Sequence, residues 1–276
     1  MADSHGFTGP HLDLIAGRNE AAPSKELPMR WRNSGVMLDP IHAMIQIAVF
    51  YHSLFFLGEP PVFLPNAYDI VFEQMEALSR SGLEDSASFI MCGINGGEES
   101  ERFAKFLLPK KAVKVFHGLK SRSENLTLVE LEKWLPGHED WYVLYFHAKG
   151  CTHDPNSDHA KMCACWRPCM MRNLVDQWKR CFVDLNSGFE AVGCHWMTGL
   201  LDGSQNIFGG NCWWAKASFL VTLPSILLRD RIKQSGIQAL ESRFEAEVWI
   251  GNGPRLPKVK DYHPGRHPGK PFNCQP

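Results

Sequence analysis

Residues 144–153 read Leu-Tyr-Phe-His-Ala-Lys-Gly-Cys-Thr-His, an apolar run that stops at His147 and is followed at once by Lys149 and Gly150. A turn at Gly150 can present backbone N–H groups to an anion, and Lys149 adds a positive charge beside them. His147 could instead hold a metal. The plain alternative is a strand that turns at a glycine and leaves its lysine in solvent. His147, Cys151, His153, His159, Cys163, Cys165 and Cys169 also crowd together here, and thiolate and imidazole are the ligands zinc prefers. Their spacing does not repeat the paired Cys-x₂₋₄-Cys pattern of zinc sites, so small buried thiols explain them equally well.

Three later stretches carry further candidates. Gly209-Gly210-Asn211-Cys212-Trp213-Trp214 joins a flexible backbone, a compact donor and acceptor, and flat apolar faces on which sugars or bases stack. Adjacent tryptophans point to opposite sides of an extended chain, so at most one of them can face a ligand, and both could be core. The stretch 240–253 places Glu241 and Glu245 on one helical face and Arg243 and Glu247 on another. A carboxylate beside a crevice is a natural general base, although a solvated acidic face looks the same in sequence. Near the end, Asp261, His263 and His267 could reach a metal or a phosphate, or belong to a loose basic tail.

The elements that must position these residues follow from hydrophobic runs. Strands are expected at 44–52, 87–94, 112–119 and 141–147, alternating with helices at 67–83, 98–108 and 126–135. A long helix is expected at 167–185, with Pro168 in its first turn, and a further strand at 189–196. Such alternation indicates an α/β fold with a mostly parallel sheet flanked by helices. Ligands of these sheets lie beyond the carboxyl ends of the strands. That rule singles out His52, Asn95 with its neighbouring glycines, and His147-Ala148-Lys149-Gly150. Residues 1–40 read as an N-terminal arm, 41–265 as one domain and 266–276 as a tail.

Composition narrows the partners. The chain has 276 residues, 44% of them hydrophobic, and a net charge of −1. A nucleic-acid binder relying on phosphate neutralisation would be far more basic. No run of 18 apolar residues suggests a transmembrane segment, and the N-terminus lacks a signal-like pattern, so a cytoplasmic location is expected. The nine cysteines are accordingly read as thiols.

Taken in order, the motifs resemble a group of bacterial and giant-virus glycosyltransferases of the GT-A, nucleotide-diphospho-sugar type. The resemblance rests on Tyr145-Phe146-His147-Ala148-Lys149-Gly150, Trp166-Arg167 with Met170 and Trp178, and Ala191-Val192-Gly193. It continues through Gly210-Asn211, Trp213-Trp214-Ala215 and Glu247-Val248-Trp249-Ile250-Gly251, and it covers about residues 44–265. It implies a GT-A-like fold and transfer of a sugar from a nucleoside-diphosphate sugar, with UDP as the default, to a glycan, polysaccharide or other hydroxyl acceptor. It further implies Glu247 as the catalytic base, with Glu245 in reserve. His52, Asn95, His147, Lys149, Gly150, Gly210, Asn211, Trp213, Trp214 and Arg243 would bind the nucleotide sugar, with His147 and His263 as candidate metal ligands. Enzymes of this type usually carry Asp-x-Asp at the corner, holding Mn²⁺ or Mg²⁺ on the diphosphate. Here it reads His147-Ala148-Lys149, which leaves the need for a metal open, since Lys149 could neutralise the diphosphate itself. Two other readings compete: a nucleotide-sugar-binding or scaffold protein without turnover, and a metalloprotein built on the Cys/His series.

Overall fold

A computed structural model describes residues 45–57, 61–96, 98–117, 124–200, 205–226 and 243–263. The expected arm and tail, with their boundaries, lie outside the described residues. The elements in order are β1 (Ile47–Leu54), β2 (Phe56–Leu57), β3 (Val62–Phe63), α1 (Pro65–Arg80), α2 (Leu83–Ser86), β4 (Phe89–Asn95), α3 (Glu99–Leu107), β5 (Val113–His117), α4 (Asn125–Trp134) and β6 (Tyr142–His147). There follow α5 (Asp158–Met170), a π-helical segment (Met171–Asp176), α6 (Trp178–Asn186), β7 (Ala191–Gly193), β8 (Trp196–Leu200), β9 (Gln205–Phe208), β10 (Trp213–Lys216), α7 (Ala217–Leu220), α8 (Arg243–Trp249) and β11 (Val259–Asp261).

The main sheet has seven strands in the order β11-β7-β10-β6-β1-β4-β5. Only β10 runs antiparallel to its neighbours, β6 and β7; the remaining pairings are parallel. This is the mixed, mostly parallel α/β sheet that the alternation of elements indicated. Every residue of β1 is buried, as a central strand covered on both faces requires. Ile47, Val49 and Tyr51 point into a core shared with α1, α5 and α6, while Ala48 and Phe50 point into the core under α4, α7 and α8. The chain thus builds three layers around one sheet.

The expected elements are corrected at two places. The long helix begins at Asp158, not at 167, because the Ser157 side chain accepts the Ala160 N–H at 3.1 Å and caps it. Pro168 therefore lies inside a helix, and the chain responds within a turn by widening into the π-helical segment. Carbonyls there find other donors: Leu174 accepts from Trp214 Nε1 at 2.7 Å, and Asn173 from Cys181 Sγ at 3.2 Å. The strand expected at 189–196 is broken after Gly193, since His195 turns into the left-handed region with φ 60°. The Asp261 carboxylate holds that break, accepting the N–H groups of His195 and Trp196 at 2.9 Å each.

One glycine of β4 sets how closely α4 can approach the sheet. A Cβ at Gly93 would lie 1.9 Å from Thr127 Oγ1 and 3.0 Å from Thr127 Cβ. Thr127 is fully buried and its hydroxyl lies 2.8 Å from His52 Nδ1. Gly93→Ala is therefore expected to cost about 2 kcal/mol of stability in urea denaturation, the usual scale for overpacking. In a Thr127→Ala background, where the 1.9 Å clash disappears, the same change should cost markedly less. Equal losses in both backgrounds would show that this contact does not set the spacing.

Candidate functional site

The sheet order changes direction at its centre. From β1 the chain steps to β4 and β5 on one side, then returns to place β6 on the other side of β1. The carboxyl ends of β1 and β6 thus flank a topological switch point, where a crevice forms because the connections leave in opposite directions. His147 ends β6, and its register partner His52 lies two residues before the end of β1, which runs on to Leu54 and so past the expected end at 52. A cavity of about 360 Å³ opens there, lined by His52, Leu54, Leu57, Glu124, His147 and the turn 148–153. Its volume lies within the range of roughly 300–1,000 Å³ usual for small-molecule sites.

Glu124, immediately ahead of α4, organises this end of the sheet. Its Oε2 accepts from Tyr145 Oη and Asn211 Nδ2, both at 2.9 Å, and lies 3.3 Å from His147 Nδ1. Only 6% of Glu124 is exposed, so these contacts replace most of its water. Burial, and then the neighbouring Glu124 charge, hold the Tyr145 phenol well above its ordinary pKa, so it remains a donor. The other nitrogen of His147, Nε2, lies 2.9 Å from the Gly210 carbonyl oxygen. Asn211 adopts φ 49°, and its Oδ1 accepts from Trp213 Nε1 at 3.0 Å.

His52 has a different state. Burial pushes its pKa down to about 3, so it is a neutral ring resting on Thr127. The turn after β6 is held from several directions. The His147 carbonyl accepts from Gln74 Nε2 at 2.9 Å and from the Lys149 N–H at 2.7 Å, while Gln74 Oε1 accepts from Tyr51 Oη. Gly150 has φ 91°, and a Cβ there would meet Cys163 Cβ at 2.7 Å. Arg167 donates to the Lys149 carbonyl at 3.1 Å. Lys149 itself is 5% exposed, and its Nζ lies 3.3 Å from Glu247 Oε1 on α8.

The structure therefore brings together His52, His147, Lys149 and Gly150 at the cavity, with Glu247 reached through Lys149. Gly210 and Asn211 stand behind His147. Glu245 accepts from Asn125 Nδ2 at 2.9 Å and so joins α8 to the start of α4. Other candidates sit elsewhere. Trp213 and Trp214 are both fully buried, one in each core, and so do not form a ligand wall. Asn95 is buried at the end of β4, where its backbone carbonyl accepts from Ser100 Oγ. His263 packs its ring 4.7 Å from His195, and the Arg243 side chain lies outside the described residues, as does His267. Sequence reasoning missed Glu124, Thr127 and Gln74, and named Arg167 only within the motif resemblance, without a role. For Glu124 one signal was present: an acid directly before a helix that follows a strand ending at the same sheet edge.

Among the described residues, no group of three or more His, Cys, Asp or Glu side chains is arranged to hold a metal ion. The corner does not fit a divalent cation well, since both nitrogens of His147 face protein acceptors and the Glu124 oxygen is already shared. Nor does the Cys/His series converge: Cys151 and Cys163 are buried thiols, whereas Cys165 is disulfide-bonded. That bond corrects the reading of all nine cysteines as thiols. No helix among the described residues is long and apolar enough to cross a membrane.

No protein-family profile and no curated protein matches this chain. Solved structures show a loose likeness. A 4-diphosphocytidyl-2C-methyl-D-erythritol synthase from Anaerococcus prevotii is 11% identical with a TM-score of 0.38, over 67% of this chain and 75% of that one. A CMP:2-keto-3-deoxy-manno-octonic acid synthetase complexed with CTP is 10% identical with a TM-score of 0.31, over 56% and 54%. A structure from Desulfovibrio desulfuricans, provisionally described as a nucleotide-diphospho-sugar transferase, is 10% identical with a TM-score of 0.35, over 74% of each chain. At these values no family follows, and the motif resemblance stands on the sequence alone.

Two outcomes test this geometry. Glu124→Ala should cost about 3 kcal/mol in urea denaturation, because Tyr145, Asn211 and His147 lose a shared buried acceptor. Glu124→Gln, which keeps an amide oxygen, should cost less. Separately, the depressed His52 pKa means that the unfolded state, with its ordinary value of 6.5, takes up a proton first as pH falls. Its contribution is complete above about pH 6.5 and declines until about pH 3. His52→Gln should flatten that part of the stability–pH curve; an unchanged slope would show that His52 titrates alike in both states.

Proposed function

We propose that the cavity holds the diphosphate of a nucleoside-diphosphate sugar, UDP by default, and that the chain transfers the sugar to a hydroxyl acceptor as a glycosyltransferase. The supporting observation is a buried lysine paired to a buried glutamate at the switch-point cavity. Lys149 lines that cavity and Glu247 adjoins it through Lys149. A diphosphate entering the cavity competes with Glu247 for Lys149. The charge that grows on the leaving diphosphate then meets a fixed cation in a site that excludes most water. The negative charge of Glu124, on the same wall, is covered by Tyr145, Asn211 and the His147 ring.

In the reaction the acceptor oxygen bonds to the anomeric carbon as the bond from that carbon to the diphosphate oxygen breaks. The acceptor proton goes to a carboxylate, for which Glu247, released from Lys149, is the candidate and Glu245 the reserve. His147 positions the corner through Glu124 and Gly210. On this reading Lys149 takes the charge-neutralising role that a divalent metal has at an Asp-x-Asp corner, and binding of the donor is retained in a chelator. A binding protein without turnover is the second reading, favoured by the same ion pair, which occupies the proposed base.

The test measures UDP and UDP-sugar binding by calorimetry, then release of UDP with and without sugar acceptors. Lys149→Ala combined with Glu247→Gln, which avoids stranding a buried charge, should weaken UDP binding about ten-fold or more, as loss of a charged hydrogen bond does. Glu247→Gln alone should retain donor binding and lose turnover. Unchanged UDP affinity in the double variant would remove the cavity from consideration; binding without turnover in the unmodified protein would select the second reading.

A further inference from the structure

The wall of the cavity holds two histidines in different situations. His147 has both ring nitrogens occupied, Nδ1 beside Glu124 at 3.3 Å and Nε2 beside the Gly210 carbonyl at 2.9 Å. His52 has only one nitrogen occupied: its Nδ1 lies 2.8 Å from Thr127 Oγ1 on α4. Its Nε2 has no protein partner among the described residues and is not sealed from solvent, so it is the nitrogen that the ring turns toward the cavity. Thr127 is fully buried, and its hydroxyl lies so close over Gly93 that a Cβ there would meet it at 1.9 Å. Among the described residues, that hydroxyl has His52 Nδ1 as its one partner.

We propose that Thr127 is a positioning residue that fixes the tautomer of His52, and that His52 thereby presents a neutral Nε2–H donor to a phosphate oxygen in the cavity. The inference rests on the reading of the cavity as a diphosphate site. A hydroxyl donates or accepts, so the 2.8 Å contact admits two arrangements. If Nδ1 carried the proton, it would donate to Thr127 Oγ1. The Thr127 hydrogen would then be a buried donor without an acceptor, which costs the full desolvation of that group. If Thr127 donates to Nδ1, its hydrogen is satisfied and only hydroxyl lone pairs go unused. The ring proton then sits on Nε2, which is open to water or ligand in the cavity. This second arrangement strands no donor and so prevails.

The consequence is selectivity by the sense of the hydrogen bond. Burial pushes the His52 pKa down to about 3, so the ring brings no charge at neutral pH. With Nε2 protonated it has no lone pair for a metal ion, but it has a donor for an anion. Gly150 and Thr152 line the same cavity, and among the described residues no backbone carbonyl takes their N–H groups. The Lys149 ammonium adds a positive charge, and Glu124, the acid of that wall, already accepts from Tyr145 and Asn211. The wall thus carries one ring N–H, two backbone N–H groups and one ammonium. That set suits the oxygens of an ionised diphosphate, which accept and do not donate. Thr127 does not line the cavity and acts through His52 alone.

The experiment records nitrogen NMR spectra of the histidine rings in the full isotope-labelled chain, with His52 assigned from the signal lost in His52→Gln. The unmodified protein should show His52 protonated at Nε2 and bare at Nδ1. Inorganic pyrophosphate should bind, as measured by calorimetry, and shift the Nε2 signal more than the Nδ1 signal. Thr127→Val keeps the shape of the side chain and removes the hydroxyl. It should mix the two tautomers of His52 and weaken pyrophosphate binding about ten-fold, as loss of a hydrogen bond to a charged group does. Thr127→Ser should restore both. Weaker binding in Thr127→Val with the tautomer unchanged would mark a structural role and overturns the proposal. Pyrophosphate binding to an unmodified protein protonated at Nδ1 overturns this inference alone, whereas no pyrophosphate binding at all overturns the diphosphate reading of the cavity with it. If Thr127→Val does not fold, the spectra of the unmodified protein with and without pyrophosphate decide.

Discussion

One carboxylate oxygen ties together three segments that are far apart in the chain. Glu124 Oε2 joins the start of α4 to Tyr145 and His147 of β6 and to Asn211 in the turn before β10. A buried carboxylate without donors would be driven out toward water, so each donor is required to keep the others in place. The dependence runs further. Asn211 reaches Glu124 from a left-handed conformation, and that conformation also sends its Oδ1 to Trp213 Nε1. Trp213 then fills the core beside Tyr145 and Trp249. Packing under the sheet and the shape of the cavity are thus set by the same polar contact.

The corner after His147 is held from both sides of the sheet. Its carbonyl is held by Gln74, which projects from α1 on one face, while its ring is held by Glu124 and Gly210 on the other. Lys149 follows with its carbonyl on Arg167 of α5 and its ammonium on Glu247 of α8. Side chains from α1, α5 and α8, with Glu124 just ahead of α4, therefore hold His147 and Lys149, while the Ala148 N–H donates to the His52 carbonyl. A loop with so many partners loses little freedom on binding, which is what a preorganised anion site needs.

Much of this was legible in the sequence, for identifiable reasons. The strands that carry His52 and His147 near their carboxyl ends are continuous apolar runs, and only a doubly covered strand needs that pattern. The rule for strand ends then pointed to the cavity. The pair Lys149 and Glu247 was singled out, but not that they touch, because the contact spans 98 positions and depends on α8 packing against α4 and β9. Trp213 and Trp214 misled for a plain physical reason: large aromatic side chains serve cores and ligand walls alike, and only burial distinguishes them. Glu124 was passed over because an acid before a helix, the one signal it offered, usually marks a solvated side chain. The helix start at Asp158 was missed because 158–166 carries charged and small residues without a sustained apolar face.

On the proposed reading, replacing a metal corner by Lys149 changes the physics of the site. A lysine ammonium is a single charge on a flexible stem, whereas a divalent cation brings two charges and fixed coordination directions. The protein compensates for the flexible stem. Nζ sits 3.3 Å from Glu247 and 5.8 Å from the centre of the Trp166 ring, so the stem is held along one wall. Compensation for the missing charge must come from elsewhere. The neutral His52, whose depressed pKa rules it out as a second cation, cannot supply it. Within the turn, the N–H groups of Ala148, Lys149, Cys151 and His153 already donate to backbone carbonyls, which leaves those of Gly150 and Thr152 to meet an anion. A site built this way binds a diphosphate by directional hydrogen bonds more than by charge. Its affinity should then depend on the backbone course at Gly150, which a side chain at that position would obstruct against Cys163.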